Sequence, residues 1–395
     1  MTKFPHIRLH PARHKRVAGG HPWVFSNEIV MSAEAKALAA GTLVQFLAHD
    51  GSVLGIGTFN PHSLIAGRIF SRKPLDEINA DWFAEKFRQA LSRREAILSD
   101  PYYRLIHAEA DEIPGLIIDR FDSHFSVQLN SAGVQKLWPE IQAALEEVFH
   151  PESIILHNES SIRSLEGLDK HTKLVKGEPR GVIEVRENGL TYFTDILEGQ
   201  KTGWYFDQRD NHALLAKFAK GKSVLDLYTH AGGFALLAAK AGATRVIGVD
   251  SSAPALALAQ KAAEHNGLAT LCSWERADVF DDVETRLAAK ENFDIVIADP
   301  PPFVRSRKDV AAGARGYRKL AAKAAGLVAP GGILYIASCS HNMELPLFTE
   351  NVARGMGDAK RHGQILYTTF AAPDHPVHPH LPESSYLKGL LIRMG

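Results

Sequence analysis

The sequence predicts an α/β protein whose C-terminal half is a doubly wound parallel sheet, preceded by a small β-rich module and a central α+β segment. Two observations carry this reading. From about Asp207 onward, apolar strand-like runs (Ser223 to Leu227, Arg245 to Val249, Phe293 to Ala298, Gly332 to Ala337) alternate with Ala-rich helical stretches, the signature of βα crossovers. Before that point, short β-type runs are broken by Gly, Asn and Pro. A chain of 395 residues, 45% of them apolar, can bury the cores of two or three domains at roughly 100 to 200 residues each. The expected boundaries are 1–74, 75–195 and 196–395.

In the first segment the runs Leu43 to Ala48, Ser52 to Thr58 and Leu64 to Phe70 are separated by His49-Asp-Gly51 and Asn60-Pro61, which predicts a β-barrel-like module. Trp23 and Phe25 are expected in its core. From Asp81 to Leu98 apolar residues recur at helical spacing (Trp82, Phe83, Phe87, Ala90, Leu91, Ile97) and Pro101 ends the run. The strand-like runs Gly115 to Asp119, Phe125 to Leu129 and Ser153 to Leu156 then flank a helical run from Val134 to Val148.

Composition excludes several classes. Lys+Arg and Asp+Glu both number 45, so the formal net charge is zero and any nucleic-acid surface must be a local patch. Two cysteines, Cys272 and Cys339, argue against a disulfide framework or a CxxC zinc site and for a reducing, cytoplasmic setting. The first residues lack the apolar stretch of a secretory signal, no apolar run is long enough for a membrane helix, and no metal site is expected.

The strongest local signal is Val224-Leu-Asp-Leu-Tyr-Thr-His-Ala-Gly-Gly-Phe-Ala235, an apolar strand that ends in an acid and passes through Gly232-Gly233 into a helix. Ligands of doubly wound sheets sit at the carboxyl ends of the strands, where glycines allow close backbone approach. The loop lacks the G-x-G-x-x-G that holds a pyrophosphate. Asp226 suits the ammonium of a methionine moiety, and Asp250 stands where a carboxylate takes the two ribose hydroxyls. Asp278 can read an adenine amino group with Val279 or Phe280 on the ring. Each acid has a bland reading as a cap or a solvated side chain, but three in register at successive strand ends point to S-adenosylmethionine.

The fourth strand runs into Asp299-Pro-Pro-Pro-Phe303, a stiff turn whose acid and aromatic can hydrogen-bond and stack on a flat heterocycle. The alternative is a Pro-rich strand exit with a core Phe. The fifth strand delivers Ser338-Cys339-Ser340-His341, next to Asp299 if sequential strands are neighbours. Carbon 5 of cytosine is too weak a nucleophile to attack a methyl sulfonium, and a thiolate added to carbon 6 activates it. A lone cysteine is more often a small buried hydrophobe; that is the expectation for Cys272, whereas position marks Cys339 as nucleophile, with His341 a neighbour able to lower its pKa.

These residues resemble the RlmI-type large-subunit (23S) ribosomal RNA methyltransferases over nearly the full chain. The matching motifs are His21-Pro-Trp-Val-Phe25, Tyr103 to Leu116, Ile118 to Phe121, Lys201-Thr-Gly-Trp-Tyr-Phe-Asp-Gln-Arg-Asp210, Asp226 to Phe234, Asp299-Pro-Pro, Arg315-Gly-Tyr317, Ser338-Cys-Ser340, Asp374-His-Pro376 and Tyr386-Leu-Lys-Gly389. The resemblance implies an N-terminal RNA-binding PUA domain, a class I methyltransferase domain with a Rossmann-like sheet, a ribosomal RNA substrate and a homodimer. It also implies that Cys339 and Asp299 are catalytic, and it sets Phe206, Gln208, Arg209, Tyr228, Thr229 and Ser251 with Asp226, Gly232, Gly233, Asp250, Asp278, Val279 and Asp299 around the cofactor. Two departures from the family stand out: the Asp299 loop lacks the second cysteine of better-known RNA cytosine methyltransferases, and His341-Asn-Met replaces an expected Gly-Leu-Met.

RNA contacts are expected from Pro300, Pro301 and Phe303 and from two basic patches. One comprises Arg8, Arg13, His14, Lys15 and Arg16, the other Arg305, Arg307, Lys308, Arg315, Arg318 and Lys319, although a basic run is by default a solvated face. The enzymatic rival is an N-methyltransferase acting on adenine or guanine through the Asp-Pro-Pro loop, with Cys339 idle. The other rival is a noncatalytic RNA-binding assembly factor, against which the full set of acids argues.

Overall fold

A computed structural model describes residues 4–178, 181–197 and 203–395. Lys201 and Thr202 of the Lys201 to Asp210 motif lie outside the described residues. The chain forms two compact units. The first comprises Met1–Gly181, Asp195–Trp204 and Asp374–Pro382; the second comprises Val182–Thr194, Tyr205–Pro373 and Glu383–Gly395.

In the first unit, strands β1 (His6–Arg8), β2 (Trp23–Val24), β3 (Thr42–Leu47), β4 (Val53–Phe59) and β5 (Gly67–Ser71) form a sheet ordered β1-β3-β4-β5-β2. A further bridge, Leu9 to Ile29, ties the β1 edge to the segment after β2. Val24, Val44, Phe46 and Phe59 fill its core. Trp23 and Phe25 do not, contrary to the expectation. Strand residues alternate faces, so burying Val24 turns its neighbours outward, where His21, Trp23 and Phe25 form a half-buried ring cluster with centroids 5.9 to 6.4 Å apart.

The central sheet contains β6 (Tyr102–His107), β7 (Leu116–Phe121), β8 (His124–Leu129), β9 (Ser153–Asn158) and β10 (His171–Lys176), in the order β10-β9-β8-β7-β6. The β8–β9 pair is parallel, which requires a crossover; helices Ala132–Lys136 and Trp138–Phe149 supply it. Helix Ala80–Glu95, capped by the Asn79 side chain on the Trp82 amide at 3.0 Å, buries Phe83, Phe87 and Ala90 on one face. The Asp374–Pro382 segment is anchored in this unit through Asp374, whose carboxylate accepts from the Arg104 amide at 3.0 Å.

The second unit opens with a hairpin, β11 (Val182–Glu187) and β12 (Leu190–Asp195). Its turn residues Asn188 and Gly189 both have positive φ, 52° and 71°, as a type I′ turn requires. The expected boundary at 195 assigned this hairpin to the central segment, and the structure moves it to the second unit. The reason is a buried contact: Glu187 Oε1 lies 2.7 Å from His212 Nδ1 on the Arg209–Ala216 helix.

The main sheet comprises β13 (Ser223–Leu227), β14 (Arg245–Asp250), β15 (Cys272–Arg276), β16 (Phe293–Ala298), β17 (Val328–Ser338), β18 (Gly363–Phe370) and β19 (Lys388–Met394). Its order is β15-β14-β13-β16-β17-β19-β18. Consecutive residues feed opposite faces: Leu225, Leu227 and Val296 enter one core, and Val224, Ile295 and Ile297 the other. The expected strands pair in parallel, and β19, which the sequence reading did not place, runs antiparallel between β17 and β18. Among the described residues, no helix is long and apolar enough to cross a membrane and no group of three His, Cys, Asp or Glu could hold a metal ion.

Candidate active site at the carboxyl ends of the sheet

The loop after β13 is built from left-handed residues, Tyr228 (φ 65°), His230 (φ 51°) and Gly232 (φ 83°). A Cβ at Gly232 would meet the Trp274 indole at 2.9 Å, and one at Gly233 would meet the His212 ring at 2.6 Å. Both glycines are thus demanded by packing inside the unit, whatever else approaches their backbone. Asp226 is 1% exposed. Its Oδ2 accepts from the Thr229 hydroxyl at 2.6 Å and the Ala235 amide at 3.2 Å, while Oδ1 has no hydrogen-bond partner. Burial pushes its carboxyl up to about 7, aided by the Asp299 charge and opposed by the Thr229 bond and His212.

Asp250, at the end of β14, accepts from the His230 amide at 3.0 Å and the Ser252 amide at 2.8 Å, so the two loops share one carboxylate. Asp278 is the N-cap of helix Val279–Ala288, accepting from the Phe280 amide at 2.8 Å and the Asp281 amide at 3.3 Å. Its capping reading is realised, and the exposed residue also lines a concavity with Ser251, Arg276 and Ala277. The half-buried Tyr228 phenol belongs to the same neighbourhood: burial raises its pKa, and the charges of Asp278 and Asp250 raise it further. An unsatisfied buried carboxylate oxygen, two acids and a concave wall at three successive strand ends fit a nucleoside joined to an amino-acid cation. The side chains of Phe206 and Val279 are core residues, 1% and 2% exposed, so any ligand contact from either would come from its backbone. Gln208 is buried and donates to Asp299 Oδ2 at 2.8 Å, its own oxygen accepting from Asn211 at 2.6 Å. Arg209 lies over the Phe206 ring at 5.6 Å.

The fourth and fifth strands pair in parallel register up to Ala298 and Ile336, which brings the proline loop and the Cys339 turn together. Cys339 Sγ lies 3.9 Å from the Pro300 carbonyl. The residues on either side of it face the other way: Ser338 donates to the Tyr317 hydroxyl at 2.8 Å, and Ser340 Oγ lies 3.0 Å from the same oxygen. Ser340 also accepts from the Val304 amide at 3.2 Å, fastening the far end of the proline loop to the strand. From β19 the buried Lys388 ammonium donates to the Ser340 carbonyl at 2.8 Å and the Met343 carbonyl at 2.6 Å. His341 is exposed, its ring 5.1 Å from that of Tyr386. Tyr317 and Lys388 were visible in the sequence as members of motifs, but neither spacing nor charge gave them a role.

Phe303 is half-buried, 4.8 Å from the Tyr317 ring and 6.4 Å from Phe280, and lines an open concavity with Phe280, Pro302, Arg305, Gly313 and Gly316. Pro300 is buried and Pro301 exposed. Of the second basic patch, Arg305, Arg307, Lys308 and Arg315 are exposed. Arg318 is committed to Asp358 through two bonds at 2.6 and 2.7 Å, and Lys319 lies over Phe280 at 5.0 Å.

Comparison with known proteins bears on the fold and the family. A family model described as a PUA-like domain matches residues 7–72, and one described as an S-adenosylmethionine-dependent methyltransferase matches residues 163–393. The ribosomal RNA large subunit methyltransferase I of Shewanella denitrificans is 39% identical over 393 residues, covering 98% of this chain and 99% of that protein. A methyltransferase structure complexed with S-adenosylhomocysteine aligns with TM-score 0.83 at 22% identity, over 98% of this chain and 100% of that one. A Streptococcus mutans chain described as an S-adenosylmethionine-dependent methyltransferase aligns with TM-score 0.81, also at 22% identity and over the same shares. These two likenesses carry the fold alone. The full-length identity carries more: this chain belongs to the S-adenosylmethionine-dependent family of the ribosomal RNA large subunit methyltransferases I, with a class I methyltransferase fold and an N-terminal PUA-like domain.

Proposed function

We propose that this chain methylates carbon 5 of a cytosine in large-subunit ribosomal RNA, with Cys339 as nucleophile and Asp299 as the acid that holds the base. The observation that carries the reading is the position of Cys339, its Sγ 3.9 Å from the Pro300 carbonyl of the Asp299 loop. Asp226, Tyr228, Thr229, Asp250, Ser251 and Asp278 form the cofactor crevice, with Gln208 and Arg209 at its rim. Phe303, Pro301, Arg305 and Arg315 meet the RNA.

S-adenosylmethionine supplies an electrophilic methyl group. The Cys339 thiolate adds to carbon 6 of the cytosine and the carbon 5–carbon 6 π pair moves onto carbon 5, which becomes the nucleophile; taking up the methyl group there would break its bond to the sulfonium and release S-adenosylhomocysteine. Loss of the carbon 5 proton to a base re-forms the double bond and expels the thiolate. Gln208 donates to Asp299 Oδ2 at 2.8 Å, which fixes the orientation of the carboxylate that holds the base. The Ser338–Tyr317–Ser340 bonds keep the two flanking side chains off the cytosine face.

Cys339→Ala is expected to abolish turnover and leave S-adenosylmethionine affinity intact, whereas Cys272→Ser stays active. An RNA carrying 5-fluorocytosine at the target should form a covalent adduct on the Cys339 peptide, because fluorine cannot leave as a proton. Near-normal methylation by Cys339→Ala would overturn the carbon 5 mechanism in favour of methylation at a nitrogen, with Asp299 and Phe303 placing an exocyclic amine.

A further inference from the structure

We infer that Lys388 is a positioning residue for Cys339: its buried ammonium holds the turn that follows Cys339 by two carbonyls and stabilises the Cys339 thiolate. This rests on the reading of Cys339 as nucleophile.

Lysine is almost never buried without a partner, because taking an ammonium out of water is costly. Lys388 is 4% exposed. Antiparallel register sets it opposite Ser338, one residue before Cys339. Two of its three protons go to the carbonyls of Ser340 and Met343, and among the described residues no carboxylate pairs with it. Carbonyl dipoles alone compensate a buried cation poorly. The charge that acts on the ammonium is that of the Cys339 thiolate, which holds it up against the burial that lowers it to about 8. Lys388 therefore still carries its proton at neutral pH, below the point at which a thiol of ordinary acidity, about 8.5, ionises. By reciprocity, the ammonium favours the thiolate.

Other groups near Cys339 act differently. Tyr317, on the Val310–Gly326 helix, is held neutral by burial, which raises its phenol. Asp299 precedes Pro300 on the proline loop and opposes the thiolate. His341, two residues on, is exposed beside Tyr386 and near the Glu383 carbonyl. Lys388 is a cation built into the wall behind the nucleophile.

The test is the pH dependence of iodoacetamide alkylation of the native full-length protein, followed by mass spectrometry of the Cys339 peptide. Cys272, whose thiol burial pushes up to about 12, stays silent over the range used. In the parent protein the Cys339 midpoint should lie about one unit or more below the ordinary ~8.5. Lys388→Met should raise it by about one unit, making alkylation near neutral pH ~10-fold slower, with S-adenosylmethionine affinity retained as the check on folding. A parent midpoint at or above ~8.5 overturns the inference without any variant, as does an unchanged midpoint in a folded Lys388→Met protein. Failure of the nucleophile reading would show instead as methylation by Cys339→Ala, with the thiol titration of the parent unaffected.

Discussion

Asp226, proposed to meet the cofactor, lowers the stability of the fold that buries it. Its carboxyl has an ordinary value of 3.8 and rises to about 7 when buried. The folded state therefore keeps the proton longer than the unfolded chain. Between those two values folding takes up protons, so stability falls as pH rises from about 4 to about 7 and is level above that. Asp226→Asn removes the titration. Relative to the parent, its stability should grow across that window by up to about 4 kcal/mol, an upper bound from about three pKa units. The same variant should lose S-adenosylmethionine affinity by ~10-fold or more, since the Oδ1 acceptor becomes an amide. Urea unfolding near pH 4.5 and pH 8, on the order of the two ends of the window, with calorimetry of the cofactor, reads both effects; an equal stability difference at both pH values would remove Asp226 as the titrating group. The acid at the strand tip was legible in Val224-Leu-Asp-Leu. Its burial was not, because Thr229 and the Ala235 amide reach it only after the loop folds back.

At the scale of elements, the Val310–Gly326 helix and the proline loop form one device. Gly313 and Gly316 weaken the helix by propensity, and the sequence offers no reason for them. A Cβ at Gly313 would collide with the Val304 side chain and lie 2.8 Å from the Phe303 carbonyl, and one at Gly316 would lie 3.0 Å from the Phe303 ring. The glycines let the loop lie against the helix, where Ser340 receives the Val304 amide. Gly313→Ala should displace Phe303 and Asp299 together and lower kcat by ~10- to 100-fold, the effect of roughly an ångström of misplacement. Cofactor affinity should change less than kcat, since the three strand-end acids sit on other loops. Steady-state kinetics beside cofactor titration checks this, and an unchanged kcat would mean the loop's position does not matter to the reaction. The four strands that carry the acids and the proline loop were read from their apolar runs and strand-end acids. The last two were not: Lys388-Gly-Leu-Leu-Ile-Arg-Met is buried on both faces and so lacks alternation, and Gly363–Phe370 is exposed along nearly its whole length.

At the scale of the molecule, a formal net charge of zero means that RNA must be held by local surfaces, and each unit offers one of different physics. The first unit carries the His21, Trp23 and Phe25 rings, with the Arg16 guanidinium 4.5 Å from the Phe25 centroid and bonded to Glu28 at 2.7 Å. Glu28 neutralises Arg16, so the contribution expected of the rings themselves is stacking. The second unit carries Arg305, Arg307, Lys308 and Arg315 exposed beside the Phe303 concavity. Among the described residues none of the four has an ion-pair partner, so each is available to a phosphate, unlike Arg318, which Asp358 occupies. Neutralising a phosphate releases a counterion, and for a single strand each contact contributes about 0.7 to the slope of log K against log salt. The double variant Arg305→Ala with Arg315→Ala should therefore flatten that slope by about 1.4 and weaken RNA binding most at low salt. Trp23→Ala should weaken binding by a similar factor at every salt concentration, because loss of a stacked base carries no counterion. Filter binding of a ribosomal RNA fragment across a salt series separates the two. A slope unchanged by the double arginine variant would take the phosphate track away from the proline loop, and a slope changed by Trp23→Ala would mean that the first unit's surface works through charge after all.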